Sequence, residues 1–140
     1  MDDRQEMMAH LEELHQALID WNRYQAKVSL SDLRASRDTR NMVLHALLVA
    51  IQASLDLAAH LIAAKRLERP ATYRQAFEIL TEKGFLPTRL GEKLAELASF
   101  RNVLVHIYWR LDLERVFDLL QTGYDPLVEF CRTVVRLMEE

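Results

Sequence analysis

The feature that most constrains how this chain folds is a long apolar stretch from Val43 to Ala64. Within it, Gln52, Asp56 and His60 follow one another at intervals of four residues. On a helix, which turns by about 100° per residue, these three side chains and His45, seven residues before Gln52, form one polar ridge. The stretch is about long enough to span a bilayer, but polar groups near its middle disfavour insertion. We therefore expect a buried helix in a soluble protein that does not enter a membrane.

The sequence leaves three roles open for this polar ridge. It can form an interface, the wall of a site, or a chain of satisfied hydrogen bonds inside the core. Each role requires polar partners from other parts of the chain, because a polar group buried without a partner costs free energy.

The composition indicates one helical domain. Hydrophobic residues make up 50% of the chain, and glycine and proline occur only three times each. So few turn-forming residues predict an all-α fold, and 140 residues suffice for a single domain covering 1–140. The net charge of −3 means that nucleic acid would have to bind at a local basic patch. The single Cys131 and the acidic N-terminus, which does not resemble a secretory signal, favour a cytoplasmic location.

Apolar periodicity and capping residues predict a bundle of about five to six helices. The expected ranges are about 3–25, 32–66 with a start anywhere between 32 and 38, 73–83, a helix capped by Thr88 that ends close to residues 100–109, a short helix from 112, and 126–138. Thr72 and Gln75 fit a capping box for the third of these helices, and Gly84 is suited to end it in the left-handed conformation. Pro126 suits the first position of the last helix.

Two groups of charged residues have both an ordinary and a functional interpretation. Glu12 and His15 form a Glu-x-x-His pair, which is half of the ligand set of one kind of dinuclear metal site. A second such pair is absent, so we interpret this pair as part of a solvated face and expect no metal. Arg34, Arg37 and Arg40 oppose the dipole of the helix that begins near them. They either position a phosphate or pair with neighbouring acids, and we favour pairing.

A second polar interruption lies in residues 100–109, which read Phe-Arg-Asn-Val-Leu-Val-His-Ile-Tyr-Trp. Arg101, Asn102, His106 and Tyr108 break an otherwise apolar run near the end of a predicted helix. Their burial without partners would be costly. They therefore mark either a hydrogen-bonded network that caps the helix or a functional site.

The order of Arg101, His106 and Tyr108 resembles the Rx4HxY signature of the HEPN superfamily. The whole segment is similar, more specifically, to the HepT-like toxins. The resemblance extends over about residues 43–108 and weakens towards both ends of the chain. The further residues that carry it are Gln52, Asp56, Pro70, Ala71, Thr72, Tyr73, Phe77, Gly84, Leu86, Phe100 and Asn102.

The resemblance implies an all-α, HEPN-type bundle that forms a symmetric homodimer with the two copies of the motif facing one another. It further implies the toxin of a HEPN/MNT toxin–antitoxin system, a metal-independent endoribonuclease that needs no cofactor. Its substrate would be RNA, and its partner a minimal nucleotidyltransferase (MNT) antitoxin. In the family that this segment resembles, the tyrosine at the position of Tyr108 receives AMP from that partner.

The chemistry of the motif agrees with RNA cleavage in which the strand's own 2′-hydroxyl attacks the adjacent phosphate. His106 can transfer protons near neutral pH, and Arg101 can bind phosphate oxygens. Asn102 lies four residues before His106 on the same helical face, where it can orient the imidazole or hold a phosphate oxygen. Asp56 is the candidate acid that holds Arg101 or His106 in place. One histidine supplies only one end of acid–base catalysis, which gives dimerisation a chemical reason.

Two other functions remain open at this point. The chain can be a non-catalytic helical dimerisation module that docks a nucleotidyltransferase partner, although the presence of both Arg101 and His106 favours an enzyme. It can also be a helical-bundle metalloenzyme, which would require bound metal in stoichiometric amount.

Overall fold

The computed structural model describes residues 3–106, 110 and 112–139, with only the backbone described for Asp3 and His106. This part of the chain is helical and contains no strand, which confirms the predicted fold class. Its helices are α1 (Asp3–Lys27), α2 (Leu30–Ala35), α3 (Arg37–Ala64), α4 (Tyr73–Glu82), α5 (Thr88–His106), α6 (Leu113–Thr122) and α7 (Tyr124–Glu139).

The apolar stretch forms most of α3, the longest helix and the centre of the bundle. Helices α1, α2, α4, α5 and α7 all contact α3. Among the described helices, only α3 is long and apolar enough to cross a membrane by length and composition, yet 61% of its most apolar window is buried inside the protein. Its apolar surface is therefore covered by neighbouring helices, as a core helix requires. Its buried residues are Val43, Leu44, Ala46, Leu47, Ala50, Ile51, Ala53, Ser54, Leu55, Leu57, Ala58, Leu61 and Ile62.

Helix α1 packs along α3 through an apolar stripe of buried residues at three- and four-residue spacing, Met7, Leu11, Leu14, Leu18 and Trp21. Leu14 and Trp21 are completely buried on this stripe. The indole N–H of Trp21 donates a hydrogen bond to the carbonyl of Leu120 at 2.8 Å. This carbonyl lies in the last turn of α6, where backbone acceptors lack partners within the helix. Trp21 therefore joins α1 to α6 by a polar contact as well as by packing.

The described part of the chain contains seven helices, whereas about five to six were expected, because a short helix, α2, precedes α3. Ser29 and Asp32 form a reciprocal capping box that starts α2. The hydrogen bond from the backbone N–H of Ser29, together with that involving its hydroxyl, holds the pKa of Asp32 below its usual value. Ser36 then adopts an extended conformation and caps α3 in turn. Ser29 thus starts α2, and Ser36, seven residues later, separates it from α3, where periodicity alone presents one helix.

Of the arginines near this break, Arg34 pairs with an acid as expected, whereas Arg40 binds backbone carbonyls. Arg34 forms an ion pair with Glu114 of α6 at 2.9 Å. Arg40 donates hydrogen bonds to the carbonyls of Leu33 and Arg34 at the end of α2, and Arg37 is exposed. These contacts dock α2 rather than forming a phosphate site.

Helices α4 and α5 run antiparallel and pack closely. Thr72 caps α4 by accepting a hydrogen bond from the backbone N–H of Gln75 at 3.1 Å. The side chain of Gln75 in turn accepts one from the N–H of Ala71 rather than from Thr72. Gly84 follows α4 with φ of +83°, which confirms the predicted left-handed position.

The last helix begins two residues earlier than the sequence suggested, at Tyr124 instead of Pro126. Pro126 occupies the third position of α7 and is buried. A proline fits there because the first four N–H groups of a helix have no acceptor within it.

The close approach of α4 and α5 leads to a prediction at Gly91. A Cβ atom at this position would lie 1.8 Å from Thr81 Oγ1. Alanine is normally favoured over glycine inside a helix by about 1 kcal/mol, but here we expect Gly91→Ala to lower the free energy of unfolding by about 1–3 kcal/mol through overpacking. In a Thr81→Ala background the loss should shrink by at least about 1 kcal/mol. Denaturant unfolding of the four proteins measures this, and equal losses in both backgrounds would contradict the steric explanation.

Candidate active site between α1, α3 and α5

Arg101 lies on α5 just over one turn before its end and is half-buried. Its Nε donates a hydrogen bond to Gln52 Oε1 at 3.1 Å. The guanidinium carbon lies 5.2 Å from the centre of the Tyr73 ring, at the start of α4. A guanidinium is planar, so contacts at Nε and at one face also set the direction of its two terminal nitrogens. Two helices thus hold the cation of the motif in one orientation.

Gln52 is oriented in turn by Asp56, one turn further along α3. Gln52 Nε2 donates to Asp56 Oδ1 at 3.1 Å. The amide oxygen must face Arg101 and the amide nitrogen must face Asp56, since an arginine offers only donors and a carboxylate only acceptors. Asp56 therefore supports Arg101 through Gln52, whereas the sequence suggested a direct contact. The other expected partner of Asp56, the His106 side chain, lies outside the described part of the structure. Gln52 is the site residue that the sequence interpretation placed on the polar ridge without giving it a role.

The polar ridge of α3 continues into α1. Asp56 Oδ2 lies 3.9 Å from Nδ1 of His10. The rings of His10 and His60 are tilted by 37° with their centres 4.9 Å apart, and His60 Nδ1 lies 3.5 Å from Glu6 Oε2. All four side chains are about one-third exposed, between 30% and 41%. Gln52, Asp56 and His60 of α3 therefore form, together with Glu6 and His10 of α1, a half-exposed polar seam between the two helices. Arg101 contacts this polar seam at Gln52.

Sequence periodicity predicted the α3 side of this polar seam but missed the α1 side. His10 follows Glu6 by one helical turn, directly beside the buried Met7 and Leu11. The sequence did contain a signal for the α1 side: two titratable residues, Glu6 and His10, lie one turn apart at the border of an apolar stripe. Their pairing with α3 depends on how α1 and α3 cross, and the periodicity of one helix carries no information about that crossing.

Asn102 follows Arg101 and is exposed. It lines a cavity of about 680 Å³ that is also lined by Tyr73 and by Leu55 of α3. His106 is the last residue of α5, but its side chain is outside the described part of the structure, as is all of Tyr108. The structure thus brings Arg101, Gln52 and Asp56 together, with Asn102 beside them, and leaves the positions of the His106 and Tyr108 side chains as expectations.

Glu12 and His15 are exposed, and Glu12 accepts a hydrogen bond from Gln16 at 3.1 Å. This is the solvated face that we favoured for the pair. Within the described residues no group of three or more His, Cys, Asp or Glu side chains is placed to hold a metal ion.

Comparison with known proteins places this geometry in a family. The sequence profile of the ribonuclease HepT-like family matches residues 14–134. The mRNA nuclease HepT of Shewanella oneidensis is 27% identical over 79 residues, a match that covers 56% of this chain. The match spans only 59% of that relative's length.

The fold is also found in solved structures of low sequence identity. A tri-AMPylated HEPN toxin of Shewanella oneidensis in complex with an MNT antitoxin superposes with a TM-score of 0.82, at 19% identity over 93% of this chain and 96% of the toxin. YutE of Bacillus subtilis, a cytosolic protein of unknown function, superposes with a TM-score of 0.85, at 18% identity over 98% of this chain and 91% of YutE.

The contact between Gln52 and Arg101 can be tested directly. In Gln52→Leu the Arg101 Nε–H loses its acceptor, so we expect its NMR signal to shift and to exchange faster with water. The free energy of unfolding should fall by about 0.5–1.5 kcal/mol, as for one hydrogen bond. Gln16→Leu, an exposed glutamine on α1, is the matched control and should leave the Arg101 signal unchanged. An unaltered Arg101 signal in Gln52→Leu would rule out the contact.

Proposed function

We propose, because this chain belongs to the ribonuclease HepT-like family, that it is a toxin-type endoribonuclease that cuts RNA without a metal ion. The observation that carries the proposal is the orientation of Arg101. It is held through Nε by Gln52 and over one face by Tyr73, at a half-buried position beside exposed Asn102. The neutral acceptor at Nε orients the guanidinium without adding a negative charge of its own, which suits an arginine that has to bind phosphate.

The proposed reaction uses the RNA strand's own 2′-hydroxyl as the nucleophile. One histidine accepts the 2′-hydroxyl proton while the oxygen forms a bond to the adjacent phosphorus. The bond from phosphorus to the 5′-oxygen breaks, and a second proton donor delivers a proton to that oxygen. The products are a 2′,3′-cyclic phosphate and a free 5′-hydroxyl. Arg101 stabilises the negative charge that accumulates on the phosphate oxygens during the step.

This mechanism favours a symmetric homodimer. His106 can be the base or the acid of one cleavage event, but it cannot be both at the same moment. A two-fold axis close to the ends of the α5 helices would bring a second His106 and a second Arg101 to the same phosphate. The dimer thereby completes the catalytic set that one chain holds only in part.

We further infer that the chain is the toxin of a HEPN/MNT pair that acts in the cytoplasm. The structural likeness to an AMPylated HEPN toxin bound to its MNT antitoxin supports this inference. The partner would be a minimal nucleotidyltransferase that transfers AMP from ATP to the hydroxyl of Tyr108 and releases pyrophosphate. The adenylyl group would add an anion close to the residues that bind RNA phosphate and thereby compete with the substrate.

Catalysis can be tested with purified protein and single-stranded RNA in the presence of EDTA. We expect cleavage that leaves 2′,3′-cyclic phosphate ends. Arg101→Ala and His106→Ala should each reduce the rate by about a hundredfold or more, which is typical for loss of one group that stabilises the transition state. Gel analysis of cleavage rates and circular dichroism of the variants provide the measurements.

The matched control for the arginine is Arg89→Ala. Arg89 is an exposed arginine on the same helix, paired with Glu129 at 3.0 Å, and its loss should leave the rate unchanged. His15→Ala serves in the same way for His106. Activity that EDTA abolishes and magnesium restores would refute the metal-free mechanism. An inactive wild-type protein that still binds the nucleotidyltransferase would favour the non-catalytic docking module.

The modification site is tested by Tyr108→Phe. This variant keeps the aromatic ring and lacks only the hydroxyl that would receive AMP, so it should retain most of the RNA cleavage. After incubation with the nucleotidyltransferase and ATP, it should gain no adenylyl mass and should remain active, while the wild type is modified and silenced. Tyr24→Phe, a change on α1, should behave as the wild type. Equal modification and silencing of Tyr108→Phe would place the site elsewhere, as intact mass and cleavage assays would reveal.

A further inference from the structure

The cavity of about 680 Å³ beside Asn102 is a candidate binding site that the proposed cleavage chemistry does not use. It lies between the second half of α3, the connection to α4 and the end of α5. Its inner wall is apolar and includes Leu55, Ile62 and Ala76, all of which are buried, together with Ala59 and Ala63, which are exposed. Small-molecule sites commonly have this volume and an apolar lining of this kind.

The rim of the cavity is polar and carries an aromatic ring. Arg69, Thr72 and Asn102 line it together with Tyr73. Tyr73 is 43% exposed, so part of its surface is accessible to a ligand. Exposed aromatic rings and flat amide groups are the means by which proteins bind unpaired nucleobases, through stacking and hydrogen bonds to the base edges.

Tyr73 joins the cavity to the catalytic motif. The same ring lines the cavity and carries the guanidinium of Arg101 at 5.2 Å. Asn102, which also lines the cavity, is the next residue after Arg101. A phosphate bound by Arg101 therefore has its own or the neighbouring nucleotide at the mouth of this cavity.

The charge of the adjoining segment fits the same ligand. Residues 65–74 contain Lys65, Arg66, Arg69 and Arg74 against a single acid, Glu68, in a chain whose net charge is −3. Arg66, Arg69 and Arg74 are exposed. A local basic segment of this kind attracts a phosphate backbone where the protein as a whole does not.

We propose that this cavity binds one nucleobase of the RNA strand next to the scissile phosphate. The base stacks on Tyr73, its edge contacts the amide of Asn102, and its body lies against the alanine wall of α3. This inference rests on the proposed function and deepens it, because it makes the cavity the source of any base preference at the cleavage site. A flexible single strand fits the site, since its bases are free to leave the stack.

The test fills the cavity without changing the residues around Arg101. Ala59→Phe places a large side chain at an exposed position of the cavity wall, and Ala26→Phe makes the same change at an exposed position of α1 outside it. Each protein is given RNA strands that differ only by one abasic nucleotide beside the cleaved bond. We expect the wild type and Ala26→Phe to cut the abasic strand at least about fivefold more slowly, as expected for loss of one stacked base. Ala59→Phe should cut both strands at the same rate.

A second measurement does not depend on cleavage. His106→Ala is mixed with RNA that carries 2-aminopurine at the same position, and the fluorescence of this base should be quenched on binding by stacking on Tyr73. The double variant with His106→Ala and Ala59→Phe should lose this quenching. The double variant with His106→Ala and Ala26→Phe should keep it. If no protein cuts RNA but the quenching pattern holds, the proposed ribonuclease function fails and the base site stands.

Two results would overturn the base site while leaving the ribonuclease proposal intact. The first is unchanged discrimination against the abasic strand in Ala59→Phe. The second is a change in the oligomeric state of Ala59→Phe, measured by light scattering, while the fraction of this variant that stays oligomeric still cuts the abasic strand more slowly than the intact strand. That result would mean that a second copy of the chain covers the cavity.

Discussion

The burial of α3 is the constraint on which the rest of the structure depends. A helix this apolar has to be covered on nearly every side, and five of the other described helices contact it. On the face of α3 that carries Gln52, Asp56 and His60, covering must be incomplete or matched by polar partners. The candidate site follows from this requirement, because Gln52, Asp56 and His60 lie where α1 and α5 leave α3 half-exposed.

The polar seam shows how an interhelical boundary can support a reactive group without burying charge. Asp56 is shared between Gln52 on its own helix and His10 on α1. Side chains that remain about one-third exposed pay only part of the desolvation cost of an ion pair in the core. The boundary can therefore hold several titratable groups close together while the apolar faces of α1 and α3 provide most of the stabilisation.

Most features set by a single helix were predictable from the sequence, whereas most contacts between two helices were not. The periodicity of α3 predicted both its burial and its polar ridge, and Gly84 predicted the end of α4. The contacts of His10 and Glu6 with α3, and of Tyr73 with Arg101, depend on crossing geometry, which the sequence states only indirectly. The extra helix α2 was missed for a local reason, since its division from α3 rests on the extended backbone of one residue, Ser36.

The use of a glutamine between Asp56 and Arg101 has a physical consequence for phosphate binding. A carboxylate in direct contact with the guanidinium would orient it equally well, but it would also neutralise much of its charge and occupy its hydrogen-bond donors. Gln52 Oε1 accepts one hydrogen bond from Arg101 Nε and brings no charge of its own. Asp56 fixes the amide from the far side, so its negative charge acts on Arg101 from a greater distance. The arrangement holds the arginine rigidly while preserving the positive charge that an approaching phosphate requires.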